Sequence, residues 1–158
     1  MNLVGTGPAV SDAHLRQLVL DIAARPQHWL HLVRYDPAHR WYRRLPWAGD
    51  QEVWLLSWLP GQYTGFHDHG RSAGAFTVVQ GCLRERTAPR GRPDPVGAAL
   101  PAGAARAFGP WYIHDVANDT LQPAVSVHAY SPSLTTMHRF EVSAGRLVPA
   151  AVETAGQW

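Results

Sequence analysis

The sequence predicts a mainly β protein, a single small barrel with a short helical cap at its N-terminus. Three observations carry this reading. Beyond residue 35 the chain breaks into short runs rich in Val, Trp, Tyr, Phe and Thr, punctuated by Gly, Pro, Asp and Asn. Helical periodicity is confined to the N-terminal segment. His67 and His69 alternate on one extended segment, and His114 follows far downstream. Alternate strand residues point the same way, so three such imidazoles meet only if separate strands close around a common interior point.

Taken in order, residues 1–10 read as a loose lead-in. Ser11 can cap a helix whose Leu15, Leu18, Val19 and Ile22 fall at the i, i+3, i+4, i+7 spacing. Pro26 stops that helix, and 27–33 forms a second short one. Strands are expected over 39–45, 52–59, 74–80, 82–88, 104–109, 111–117, 123–130, 136–142 and 146–152. The stretch 89–103, rich in Pro, Gly and Ala, is the longest expected loop. No internal repeat interrupts the pattern. One domain over 1–158 is expected, with 1–35 as the cap and 36–152 as the barrel.

Composition narrows the function classes. With 158 residues and 46% hydrophobic content, the chain can build a real core. All 14 basic residues are Arg, yet the formal net charge is only +2. The Arg residues form no long run, so no nucleic-acid surface is expected. Cys82 is the only cysteine, which excludes an intrachain disulfide and a cysteine-based zinc cluster. No apolar run approaches a membrane span, and no secretory leader is read at the N-terminus. A cytoplasmic protein is the expectation.

The histidines carry the chemistry. His67, His69 and His114 offer three neutral nitrogen ligands and leave coordination positions open, an arrangement for catalysis rather than structure. The order Gly61-x5-His67-Asp68-His69, then Gly74, then Gly81, resembles the first cupin motif, G-x5-H-x-H-x(3,4)-E-x6-G. Gly74 stands where that motif places a glutamate ligand. His114-x3-Asn118 resembles the end of the second cupin motif. A cupin fold, a small β-barrel or jelly roll, is what this likeness implies. Without the carboxylate, a divalent ion keeps both charges and favours an anionic ligand such as a thiolate.

Ser126, His128 and Tyr130 alternate and share one strand face. A hydroxyl, an imidazole and a phenol in line can relay hydrogen bonds toward the cavity, or can simply line a solvated face. Upstream stands Tyr42-Arg43-Arg44. If Arg44 points inward, its planar fork suits a substrate carboxylate; otherwise it is a surface arginine.

The combination Tyr42-x-Arg44, His67-Asp68-His69-Gly70, His114-x3-Asn118 and Ser126-x-His128-x-Tyr130-Ser131-Pro132 resembles the cysteine dioxygenase family of thiol dioxygenases. The resemblance covers residues 40–142. It implies non-haem Fe(II) on His67, His69 and His114, and O2 as co-substrate. The implied reaction converts L-cysteine to cysteine sulfinic acid, in cysteine catabolism. It implies that Arg44 binds the substrate carboxylate, with Tyr42 assisting. Tyr130 hydrogen-bonds near the bound substrate, oriented by His128 and Ser126. Animal members carry a cysteine at the position of Gly74, crosslinked to the tyrosine, so an uncrosslinked Tyr130 is expected here. Members acting on 3-mercaptopropionate typically have Gln where Arg44 stands, so Arg44 favours cysteine.

Other readings stay open at this point: a dioxygenase for another small thiol such as 3-mercaptopropionate, or a metal-binding cupin of different activity. His28 and His31 are read as helix-surface residues, His138 as packed or solvent-facing, and Cys82 as a small strand hydrophobe. Trp54, Trp58 and Trp111 are read as core or cavity wall. Asp68, between two ligands, should face away from them, supporting an imidazole, making a turn or lying at the surface.

Overall fold

The structure is a computed structural model that describes residues 10–157. The lead-in expected over 1–10 lies outside the described residues except for Val10. Helix α1 spans Asp12–Ala23, and Ser11 caps it by accepting the His14 backbone N–H at 3.2 Å. Two 3-10 turns, Pro26–His28 and Leu30–Leu32, replace the single second helix expected over 27–33. Trp29 ties them back, donating from Nε1 to the Ile22 carbonyl at 3.0 Å.

Eleven strands follow: β1 (Tyr42–Leu45), β2 (Glu52–Trp58), β3 (Phe66–His67), β4 (Ala73–Gln80), β5 (Cys82–Thr87), β6 (Ala98–Pro101), β7 (Ala105–Phe108), β8 (His114–Ala117), β9 (Ala124–Ser131), β10 (Thr136–Ser143) and β11 (Arg146–Thr154). They build two sheets, β1-β2-β9-β4-β7 and β11-β10-β3-β8-β5-β6, with antiparallel pairing throughout. This is the mainly β cupin barrel that the sequence predicts.

Two strands differ from expectation. β6 lies inside the segment read as loop, where Ala98, Ala99, Leu100 and Pro101 pair with β5. β3 is only two residues long and carries little strand periodicity of its own. The expected 111–117 strand begins at His114, because Trp111 takes φ +64° in a turn.

Alternation explains why β2 and β9 are buried along almost their whole length. Val53, Leu55, Val125, Val127 and Ala129 face outward and pack under Leu15, Val19 and Ile22 of α1. Leu56, Trp58, Ala124 and Tyr130 point the other way, into the barrel, beside Phe76, Leu83 and Leu100. The helix therefore covers the back of one sheet, and the barrel interior is left for the site. Gly81 makes the one-residue turn between β4 and β5 at φ +76°. A Cβ there would meet the Pro123 carbonyl oxygen at 2.5 Å, so both backbone and space demand glycine.

Candidate metal centre and cavity

His67 ends β3, and His114 begins β8 directly opposite it in the ladder. His69 lies past the end of β3, on a turn rather than on the strand expected to carry both histidines. Asp68 holds that turn. Its Oδ1 accepts from the Gly70 N–H (2.9 Å), the His138 N–H (3.2 Å) and His138 Nδ1 (2.7 Å). Asp68 thus faces away from the ligands and makes the turn, and His138 is its partner.

The three imidazoles converge, with one candidate ligand atom from each lying within 4.8 Å of the others. All three rings are buried. Burial and then the neighbouring imidazoles push His67 and His69 well below the ordinary histidine value, so both are neutral lone-pair donors. His67 directs Nδ1 to the Gly65 carbonyl at 2.9 Å, and His114 directs Nδ1 to Glu85 Oε1 at 2.9 Å. Each thereby presents Nε2 to the common point. His69 Nδ1 is buried without a hydrogen-bond partner, so no group among the described residues fixes its tautomer. Three converging imidazole donors, one of them with an unfixed ring, fit a divalent transition ion.

Gly74 shows why no glutamate joins them. A Cβ at this position would lie 2.5 Å from Cε2 and Cζ of Phe108 and 3.0 Å from Cδ1 of Tyr130. Phe108 fills the space and stacks on His69, with centroids 5.3 Å apart. Gly74→Ala is therefore expected to destabilise the fold by about 1–3 kcal/mol, the usual cost of overpacking. Urea denaturation checks this, and Phe108→Leu in the same chain should recover part of the loss. Tyr130 faces Gly74 across the β4–β9 ladder. Cys82 pairs with Pro101 on β5 and does not line the cavity.

Ser126, His128 and Tyr130 share the inner face of β9 as expected, and the relay is longer than the sequence suggests. Trp58 donates from Nε1 to Ser126 Oγ at 2.9 Å. Ser126 Oγ lies 2.8 Å from His128 Nε2, and His128 Nδ1 lies 3.4 Å from the Tyr130 hydroxyl. An indole N–H can only donate. Among the described residues His128 is the one acceptor within reach of the Ser126 hydroxyl, so that hydroxyl donates to Nε2. Burial, then His114 and Arg40, depress His128 well below its usual value. The neutral ring keeps its single proton on Nδ1 and gives it to Tyr130. The Tyr130 proton is then free to point into the cavity. Burial raises the phenol above its usual value, so it stays protonated.

The expected carboxylate clamp needs correction. Arg44 is exposed and lines a separate shallow depression with Leu45, Pro46, Trp47 and Gln51. Arg40, two residues before Tyr42, lines the metal-side cavity together with Tyr42, Tyr130 and Arg139. The reason lies in the register of β1, an edge strand. Tyr42 pairs with Leu56 and Arg44 with Trp54, toward the open end of β2. Arg40 lies at the other end, its guanidinium 5.0 Å from the ring centroid of the fully buried Trp58. Arg40 donates to the Tyr63 carbonyl at 3.3 Å and Arg139 to the next carbonyl, Thr64, at 2.8 Å. Arg139 also pairs with Glu153 at 3.1 Å. Arg40 Nε is buried without a partner. Burial and then the Arg139 charge lower the Arg40 pKa, as expected for two cations beside one cavity with no anion between them. Tyr42 lies at the rim, edge-on to Trp54 at 5.6 Å.

Sequence reading missed Arg40, Arg139, Trp58 as a relay member, and Glu85. Arg40 and Arg139 each stand two residues from an inward-facing neighbour, Tyr42 and Met137, which was the available signal. Trp111 is 60% exposed rather than core, whereas Trp54 and Trp58 do wall the barrel.

A β-barrel with three converging histidines and, among the described residues, no carboxylate in the cluster is a cupin with a site that could hold a metal ion. The family model for cysteine dioxygenase type I matches residues 8–143, and the chain belongs to that family. It is accordingly a thiol dioxygenase by family. Human cysteine dioxygenase type 1 is 26% identical over 151 residues, covering 88% of this chain and 74% of the relative. The Danio rerio protein of the same name is 25% identical over 148 residues, covering 87% and 73%. Two solved structures share the fold. TT1209 from Thermus thermophilus has a TM-score of 0.57 at 23% identity, over 65% of this chain and 92% of that one. A double-stranded β-helix protein from Klebsiella pneumoniae has a TM-score of 0.57 at 18% identity, over 77% and 92%. Among the described residues no helix is long and apolar enough to cross a membrane.

Proposed function

We propose that this protein binds non-haem Fe(II) on His67, His69 and His114 and uses O2 to oxidise the thiol of L-cysteine to cysteine sulfinic acid. The observation that carries the reading is the pairing of three converging imidazoles with an arginine whose buried Nε has no partner among the described residues, in one cavity. When bound, the metal supplies the dioxygen chemistry and lowers the pKa of the thiol it holds.

The chain's own residues then orient the substrate. Arg40 receives the carboxylate, with the Arg139 charge beside it and Tyr42 at the rim; the role expected for Arg44 passes to Arg40. The carboxylate relieves the repulsion between two neighbouring guanidiniums, which is worth most in a dry site. Tyr130 donates its O–H toward the reacting sulfur or oxygen, held in that sense by His128, Ser126 and Trp58. Fixing three substrate groups at once converts the reaction into an effectively unimolecular one. Leu56 and Val116 exclude water from the same space.

A second reading is 3-mercaptopropionate. No carboxylate side chain lines the cavity among the described residues, so nothing there accepts a free ammonium. The substrate amine is therefore either a metal ligand or absent. Both readings are tested by loading the protein anaerobically with Fe(II) and following oxygen uptake and sulfinate with a panel of cysteine, 3-mercaptopropionate and cysteamine. Sulfinate from a carboxylate-bearing thiol is expected to form faster than from cysteamine. No sulfinate from any of the three would overturn the proposal.

A further inference from the structure

Glu85 is a charged residue on an inward-facing position of β5, alternating with the fully buried Leu83. Its carboxylate is 4% exposed and accepts three hydrogen bonds. The donors are His114 Nδ1 at 2.9 Å, the Tyr112 hydroxyl at 3.1 Å and Arg106 Nε at 3.2 Å. These partners come from β8, the loop before it and β7 of the opposite sheet. A carboxylate is carried into a barrel wall only when such partners satisfy it. Arg106 reaches it from the surface, its side chain 41% exposed. Its Oε1 is shared by the Tyr112 hydroxyl and the ring of a candidate metal ligand, His114.

The three candidate ligands are not equivalent on their outer nitrogens. His67 has a neutral carbonyl, Gly65, and His69 Nδ1 has no partner. Only His114 has an anion. An imidazole whose N–H is given to a carboxylate is a stronger donor through its other nitrogen and is locked in one tautomer.

We infer that Glu85 is a positioning residue for the metal. It holds His114 with Nε2 inward and supplies, from behind the ligand, negative charge that the all-histidine set does not provide. The space at Gly74 shuts a carboxylate out of direct ligation; Glu85 delivers one through His114 instead. This inference rests on the metal reading of the three histidines.

The test uses Co(II) as the probe, added to the metal-free protein and read by visible absorption in competition with a chelator. Glu85→Gln keeps the shape of the side chain and removes its charge. It is expected to weaken Co(II) binding about 10-fold, and Glu85→Ala about 100-fold, the usual range when the hydrogen-bond partner of a metal-binding imidazole is replaced. The thermal midpoint of the metal-free Glu85→Gln protein, compared with its Co(II) affinity, separates positioning from general loss of fold. If Glu85→Ala does not fold, Glu85→Gln decides the matter alone. Equal Co(II) affinity in wild type and Glu85→Gln overturns the inference while leaving the metal reading intact. No Co(II) binding by wild type overturns both.

Discussion

Arg40→Gln is expected to lower kcat/KM for cysteine by roughly 30- to 4000-fold, while Arg44→Gln stays within about 2-fold of wild type. The first range is the 2–5 kcal/mol typically lost when one partner of a buried, hydrogen-bonded charge pair is truncated. The second reflects an exposed arginine that does not line the cavity. Cysteamine provides the internal control, because it has no carboxylate to lose. In wild type, cysteine should outperform cysteamine by a wide margin; in Arg40→Gln the two should approach one another. Metal content measured on each variant separates a substrate effect from loss of the centre. The opposite pattern, Arg44→Gln inactive toward cysteine and Arg40→Gln unaffected, would return the carboxylate to Arg44. Arg139 is predisposed to be the weaker arm, because Glu153 and the Thr64 carbonyl already engage it.

The contrast between Arg40 and Arg44 shows what kind of information a sequence holds. Residues 40, 42 and 44 share one strand face by alternation, and nothing local says which of them the barrel closes over. That is settled by the register of β1 on β2, which sets Arg40 beside Trp58 and Arg44 opposite Trp54. The histidines and the Ser126-His128-Tyr130 row were legible because their spacing within one segment already fixes a shared face. β3 was not legible, since two residues carry no period. β6 was hidden by Ala, Pro and Gly, and it forms because β5 offers a free edge. Gly74 was read as a missing ligand. Only packing supplies the reason, since Phe108 reaches it from β7. Glu85 carried a signal that was passed over: an acidic residue two positions from Leu83 on a strand whose alternation buries both.

The same burial that makes the imidazoles good ligands gives the metal-free protein a steep acid limit. His67, His69 and His128 are all held well below the ordinary histidine value in the folded state, with burial the largest cause in each. The sign follows from which state binds protons. Below about pH 6.5 the unfolded chain protonates these rings and the folded chain does not, so the unfolded state gains. Stability is therefore fully present above about pH 6.5 and falls as the pH drops toward the depressed folded values. Each ring contributes at most about 1.4 kcal/mol per pH unit, and only while the pH lies between its folded and unfolded values. Urea denaturation of the metal-free protein at pH 7.5, 6.5 and 5.5 measures this. Little change is expected over the first interval and a sharp loss over the second. His128→Gln, which removes a titrating ring but is not a candidate ligand, should reduce the slope by about 1.4 kcal/mol per unit. A bound divalent ion should push the loss to lower pH, since it binds only neutral imidazole and adds its binding free energy to the folded state. A metal-free protein equally stable at pH 7.5 and 5.5 would show that these histidines are not buried as neutral rings.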